Sequence, residues 1–253
     1  MTDKNIQTRL YVAGDLAPGA AAALSQEQAH YLKNVLRLKP GARIALFNGR
    51  DGEFAAHIDQ LDKNKGSAMV AERLRPQPPP PRPAADLWLL FAPLKRTHID
   101  FLAEKATELG VALLWPVVTR HTAVDRVNIH RLRANAIEAA QQCGALCVPE
   151  VREAAPLERA FADWPENRRL YLCAEKGKAA PLGEAAQRHP ADAPAAILTG
   201  PEGGFHQAEL DALALLPFVT PVALGPLVMR ADTAALAAIA VFHSAAGNWR
   251  NVR

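Results

Sequence analysis

The sequence predicts an α/β protein in which a small β-rich domain precedes a larger domain built on a parallel sheet. Three observations carry this prediction. Residues 75–83, RPQPPPPRP, cannot continue a helix or an internal strand and form a stiff spacer that divides the chain. Before the spacer, short strand-like segments surround a single helical pattern. After it, strand-like and helix-like segments alternate, which is the order of a parallel α/β sheet.

The elements follow in order. Arg9–Val12 reads as a strand, and residues 26–36 as a helix whose start carries Ser25 and Gln28 at capping-box spacing. Strands are expected at 43–47, 53–58 and 67–72. Beyond the spacer come a strand at 87–92 and a helix at 98–109, with Thr97 as N-cap and Gly110 as its stop. Ile99, Leu102, Ala106 and Leu109 form the apolar stripe of that helix, which leaves Glu104, Lys105 and Glu108 to solvent. A strand at 111–118, a helix at 130–142, a strand at 170–173 and a helix at 181–188 continue the alternation. The expected division is a β-rich domain over 1–74, a linker over 75–84 and an α/β domain over 85–253.

A chain of 253 residues carries enough apolar material for one large core or two. Its net charge is +3, and the excess is N-terminal: residues 1–75 hold 11 basic against 8 acidic side chains, the remainder 18 of each. Lys33, Arg37, Lys39, Arg43 and Arg50 lie in a stretch, 31–50, without one acidic residue. Such a run is either a solvated face or the footprint of a phosphate backbone. The start, MTDKNIQTRLYV, lacks the apolar core of a signal peptide, and no stretch approaches the ~18 apolar residues of a membrane span. A cytoplasmic protein without membrane contact is expected. Cys143, Cys147 and Cys173 are sparse and have no adjacent histidine cluster, so they read as reduced structural thiols rather than metal ligands.

The candidate site lies in two tandem strand–loop–helix units. In the first, the apolar run Ala195–Leu198 meets the loop LTGPEGGF, residues 198–205, before a helix over 207–216. Glycines here let backbone groups approach a ligand, although a plain structural turn would look the same. The loop lacks the Lys-Ser/Thr of a phosphate-binding loop and the spacing of a dinucleotide fingerprint. In the second unit, Val222–Leu224 runs into Gly225-Pro226, and a helix is expected from Thr233 to Phe242. Loops that leave the carboxyl ends of parallel strands gather on one edge, so the two can share a site. Arg230 and Asp232 are the only charges between Asp211 and Arg250. They read as site residues or as a surface ion pair with Asp232 capping the helix. Arg120 and His121 follow strand 111–118 and either join the same edge or lie on the surface.

Together these segments resemble the RsmE family of 16S ribosomal RNA (uracil-N3) methyltransferases, in the SPOUT trefoil-knot class. RLYV and HYLKNVLRLKPGARIALFNGRDGEF resemble its PUA-like RNA-binding domain. EKATELGVALLWPVVTRHTAV, IEAAQQCGALCVPEV, LTGPEGGF and LGPLVMRADTAALAAI match its methyltransferase blocks in order. The resemblance implies that Leu198, Thr199, Gly200, Glu202, Gly203, Gly204, Leu224, Gly225, Met229, Arg230 and Thr233 surround S-adenosylmethionine. It implies RNA binding by Arg9, Lys33, Arg37, Lys39 and Arg43, and a small-subunit or 16S RNA substrate. It further implies a deep knot and a homodimer whose partner helps complete each site. The charge-free helix from Thr233 fits that interface, or burial inside one subunit.

The chain departs from the family's pattern at Ala145 and Leu227, where arginines are frequent, and at Asp232, where glutamate is usual. The implied chemistry is attack by a uridine nitrogen on a sulfonium methyl, with Arg230 as the catalytic candidate for stabilising charge on the uracil carbonyls. The rival readings are a non-catalytic RNA-binding assembly factor and a SPOUT enzyme acting on tRNA. The intact GPEGG and LGP loops disfavour the first, and the N-terminal domain disfavours the second.

Overall fold

The structure is a computed structural model that describes residues 5–62, 65–77, 86–124, 126–174, 179–190 and 193–251. Past Gln77, the expected linker lies outside the described residues. Contacts divide the chain into two compact units: Met1–Pro79 with Ala140–Val148, and Pro80–Ala139 with Pro149–Arg253. The segment Ala140–Val148, placed by sequence in the larger domain, groups with the first unit.

In the first unit, strands β1 (Arg9–Tyr11), β2 (Ala21–Leu24), β3 (Arg43–Phe47), β4 (Glu53–Leu61) and β5 (Gly66–Arg75) form a sheet in the order β1-β3-β4-β5-β2. Only β1 and β3 run parallel. Helix α1 (Gln26–His30) begins at the expected capping box and continues as a π-helical turn over Tyr31–Val35. Leu10, Leu32, Ile44, Leu46, Phe54 and Ile58 meet in its core. At ~1.5–3 kcal/mol for each fully buried side chain, such a cluster dominates the unit's stabilisation. Strand β2 was not foreseen: its AAAL sequence has no strand preference, and pairing with β5 fixes it.

The second unit carries β6 (Leu87–Phe91), β7 (Leu113–Val118), β8 (Glu150–Val151), β9 (Ala155–Pro156), β10 (Arg169–Cys173), β11 (Ala180–Pro181), β12 (Ala195–Thr199) and β13 (Val219–Ala223). Every recorded pairing among them is parallel. The order is β11-β13-β10-β12-β6-β7-β8, with β9 beside β7. Strand β12 thus lies between two strands made earlier in the chain, against the usual adjacency of consecutive elements.

Helices α2 (Arg96–Glu108), α3 (Ile129–Cys143, as far as Ala139), α4 (Leu157–Ala160), α5 (Leu182–Gln187), α6 (Gln207–Ala214) and α7 (Ala231–Ala245) complete the unit. Every residue of β12 is buried because both faces of the sheet are covered. Ala195 and Ile197 join a core with Leu102, Leu182, Ile239 and Phe242, whereas Ala196 and Leu198 join one with Leu157, Trp164 and Leu213.

Two local expectations are corrected. Helix α2 starts two residues earlier than Thr97 would allow: Lys95 is the N-cap and supplies no side-chain bond. Asp232 does not cap α7 either, since Arg230 holds that position through its backbone. In α7, Ala235, Ala238, Ile239 and Phe242 are buried within the chain's own core. His243 is fully buried, stacked on Trp249 with ring centroids 5.7 Å apart, and neither ring nitrogen has a hydrogen-bond partner among the described residues. Burial pushes this imidazole down to about 4, so it sits neutral in the core.

Candidate active site

Because the strands of the second unit are parallel, the loops after β7, β10, β12 and β13 emerge on one edge. There they enclose a cleft of about 370 Å³ lined by backbone and apolar groups from three of them. Thr199, Gly200, Glu202 and Gly204 come from the loop after β12; Leu224, Gly225, Met229 and Arg230 come from the loop after β13. The two glycine loops picked out in the sequence therefore share one cleft. Cys173 lines it from the end of β10, a contribution that its sequence did not signal. Burial pushes the Cys173 thiol up to about 12, so it is an unreactive wall.

Three of the expected residues are not among those that line the cleft. Leu198 is fully buried in the core with Leu157, Trp164 and Leu213. Thr233 is in the first turn of α7, its amide donating to Asp232 Oδ1 at 2.7 Å. Gly203 packs against the loop after β7, where an added Cβ would meet His121 Cβ at 3.2 Å. A bulky residue at 203 therefore strikes protein before any ligand.

The charged residues separate as well. Asp232 Oδ2 bonds His98 Nδ1, from α2, at 2.7 Å. Burial works against charge on this carboxylate, but hydrogen bonds from His98 and from the Thr233 amide outweigh it and hold Asp232 below its ordinary value. Asp232 is thus committed to α2 and to its own helix, and the surface ion pair with Arg230 does not form. Arg230 is exposed at the cleft with no ion-pair partner among the described residues. Leu227 and Val228 stand beside it at 78% and 74% exposure, an apolar lip that no described residue covers.

The loop after β7 is tied to this edge. The Arg120 amide donates to Glu209 Oε1 at 2.9 Å, and the His206 amide to Glu209 Oε2 at 2.8 Å. His121 Nδ1 lies 3.2 Å from Gly203 O and 3.1 Å from Gly204 O. His121 therefore joins the edge through the glycine loop, and Arg120 through the start of α6.

In the first unit, the basic residues divide by environment. Arg9 points inward: Nε bonds Glu53, and its guanidinium donates to the carbonyls of Ala140, Gln141 and Ala145 at 2.9, 2.9 and 3.0 Å. It also covers the Phe47 ring at 4.5 Å. Arg43 pairs with Glu72, and Lys33 Nζ donates to Leu61 O at 3.2 Å. Arg37 and Lys39 are exposed and have no partner among the described residues. Arg37 is also the sole described non-glycine residue with positive φ, at 55°. Among the described residues no three histidine, cysteine or acidic side chains converge as a metal site.

Residues 80–243 match the RNA methyltransferase domain family, and residues 24–68 the RNA methyltransferase PUA domain. The ribosomal RNA small subunit methyltransferase E of Rickettsia conorii is 35% identical, over 92% of this chain and 93% of its own length. A Legionella pneumophila structure described as a methyltransferase with bound cofactor SAM is 29% identical, with a TM-score of 0.84 over 95% of this chain and 98% of that one. The methyltransferase E of Neisseria gonorrhoeae, solved with S-adenosyl methionine, is 27% identical, with a TM-score of 0.82 over 94% and 97%. With its PUA-like first unit, its parallel-sheet second unit and these matches over nearly its whole length, the chain belongs to the ribosomal RNA small subunit methyltransferase E family of SPOUT-class RNA methyltransferases.

Proposed function

We propose that the cleft binds S-adenosylmethionine and that the enzyme methylates N3 of a uridine in the RNA of the small ribosomal subunit. The observation that carries this reading is the convergence of two glycine-bearing loops on one cleft. Its volume of about 370 Å³ falls in the range of small-molecule sites. Leu224 and Met229 offer apolar walls to a flat purine, and the exposed Glu202 carboxylate suits a cationic ligand. Gly225 has φ +141°, and a Cβ built on it would meet nothing within 4 Å. The backbone is bare toward open space there, as close approach of a ligand requires.

When bound, S-adenosylmethionine supplies an electrophilic methyl on a sulfonium sulfur. The chain's part is to hold the uracil in line, to exclude water and to tolerate negative charge as N3 loses its proton. Arg230 suits the last task because no carboxylate among the described residues pairs with it. Calorimetry tests the cleft. Gly225→Val, which forces a branched side chain into an unfavourable backbone region, is expected to weaken S-adenosylmethionine binding at least about tenfold while the circular dichroism spectrum is retained. Unchanged affinity would place the cofactor elsewhere.

For RNA we assign Arg37 and Lys39 in the first unit, and not Arg9, whose donors are used internally. A left-handed conformation costs an L residue ~1–2 kcal/mol, and glycine is the usual solution at a helix end. An arginine kept there points to a use for its side chain. Arg37→Gly is expected to be neutral or to stabilise the fold by up to ~1 kcal/mol, yet to weaken RNA binding and to reduce the slope of log affinity against log salt by ~0.7–0.9. An unaltered slope would return Arg37 to the solvated face.

We further propose a C2 homodimer through the face of α7 that carries Thr233, Ala237, Ala240, Val241 and Ser244, all at least partly exposed in the single chain. Ala238, fully buried, is unsuitable as a probe because a charge there would unfold the subunit. Val241, 37% exposed, is the better position. Val241→Glu is expected to convert a dimer to folded monomers in sedimentation. A wild-type enzyme active at the 27.3 kDa chain mass would overturn the dimer. No helix among the described residues is long and apolar enough to cross a membrane, and we place the enzyme with ribosomes in the cytoplasm.

A further inference from the structure

We propose that His121 is a positioning residue that holds the glycine loop after β12 in the shape required for cofactor binding, an inference that rests on the reading of the cleft given above. His121 does not line the cleft, but its Nδ1 lies 3.2 and 3.1 Å from the carbonyl oxygens of Gly203 and Gly204. Carbonyls only accept, so Nδ1 carries the proton and donates to both. Gly204 lines the cleft, and its amide donates to Pro201 O at 2.9 Å, closing the turn that His121 clamps from outside.

The base of the clamp is fixed. The Thr119 amide donates to Thr122 Oγ1 at 2.8 Å, which folds the segment around His121 into a tight turn. Glu209, buried under this turn, accepts the amides of Arg120 and His206 on its two oxygens and so ties the turn to the start of α6. His206 accepts the Ala208 amide on Nδ1 at 3.1 Å and presents its ring to His121 edge-on at 5.8 Å. Gly203 has no side chain where one would press on His121 Cβ at 3.2 Å. Turn, helix start and glycine loop therefore meet in one arrangement, and His121 is the member that reaches the loop's carbonyls.

The test compares His121→Ala, His121→Phe and His121→Asn in the full-length enzyme, by calorimetry with S-adenosylmethionine and by steady-state methyl transfer. Phenylalanine keeps the bulk without the donor, whereas asparagine places an N–H near the position of Nδ1. Ala and Phe are expected to raise Kd and KM for S-adenosylmethionine about tenfold, the scale of one lost hydrogen bond, with kcat at saturation within about twofold. Asn is expected to restore most of the affinity. Wild-type affinity in Ala and Phe would overturn the inference, as would an Asn variant as weak as Ala. No uptake by the wild-type enzyme would overturn the reading of the cleft itself, and this inference with it.

Discussion

Arg230→Met is expected to lower kcat by ~10²–10³-fold, the scale of losing one preorganised group that meets developing charge, while S-adenosylmethionine affinity changes only a few-fold. The expectation rests on where the charge around Arg230 goes. Asp232, two residues on, is taken by His98 at 2.7 Å and by the Thr233 amide, so Arg230 stands beside the cleft without an ion-pair partner among the described residues. Methionine keeps an unbranched apolar stem and removes the charge. Single-turnover methyl transfer together with calorimetry separates the outcomes. A fall in binding with normal turnover would make Arg230 a cofactor clamp, and no change in either would reduce it to a surface residue.

The second large effect concerns stability. Glu53 is 6% exposed and accepts Arg9 on one oxygen and Arg75 on the other, at 2.5 and 2.6 Å. Burial opposes its charge, yet the bonds from Arg75 and Arg9 outweigh that and hold the carboxyl below its ordinary value. Arg9→Met leaves Glu53 half-paired and strips donors from the carbonyls of Ala140, Gln141 and Ala145. A loss of ~3–5 kcal/mol from the first unit is expected, as for other buried pairs broken on one side. Hydrogen exchange of the β3 and β4 amides reads it directly.

The pH dependence has a definite sign. A carboxylate with a lowered folded pKa contributes stability that is fully present above its unfolded value, near 4.5, and that is lost as pH falls through the folded value. The wild-type first unit should therefore weaken as pH drops below about 4.5, and Arg9→Met should show less of that slope. Equal slopes would remove Arg9 from the pair.

Local patterns were legible in the sequence, and distant partners were not. Strand–loop–helix alternation and the glycine loops depend on neighbours within a few residues, and they led to the parallel sheet and to most of the cleft wall. Arg9 looked like an RNA contact because nothing near it in sequence announces Glu53, 44 residues on. Asp232 looked like a cap for its own helix, but its partner His98 is 134 residues earlier. The meeting of His121 with Gly203 spans 82 residues. In each case the side chain has ordinary local uses, and only the sheet order decides which one is realised. The charge-free stretch of α7 from Thr233 was legible as a helix to be covered, but the sequence does not divide the part that packs inside the chain from the part left at its surface.

The position that receives the methyl group separates this enzyme's proposed activity from its rivals most directly. The enzyme should be incubated with methyl-labelled S-adenosylmethionine and small ribosomal subunits, or their free RNA, from cells that lack it, and the labelled nucleotide identified by mass spectrometry. The expected result is label on a single uridine of the small-subunit RNA, at N3, present with the wild-type enzyme and nearly absent with Arg230→Met. Label on a ribose or on transfer RNA, or none at all with an enzyme that binds S-adenosylmethionine, would contradict it.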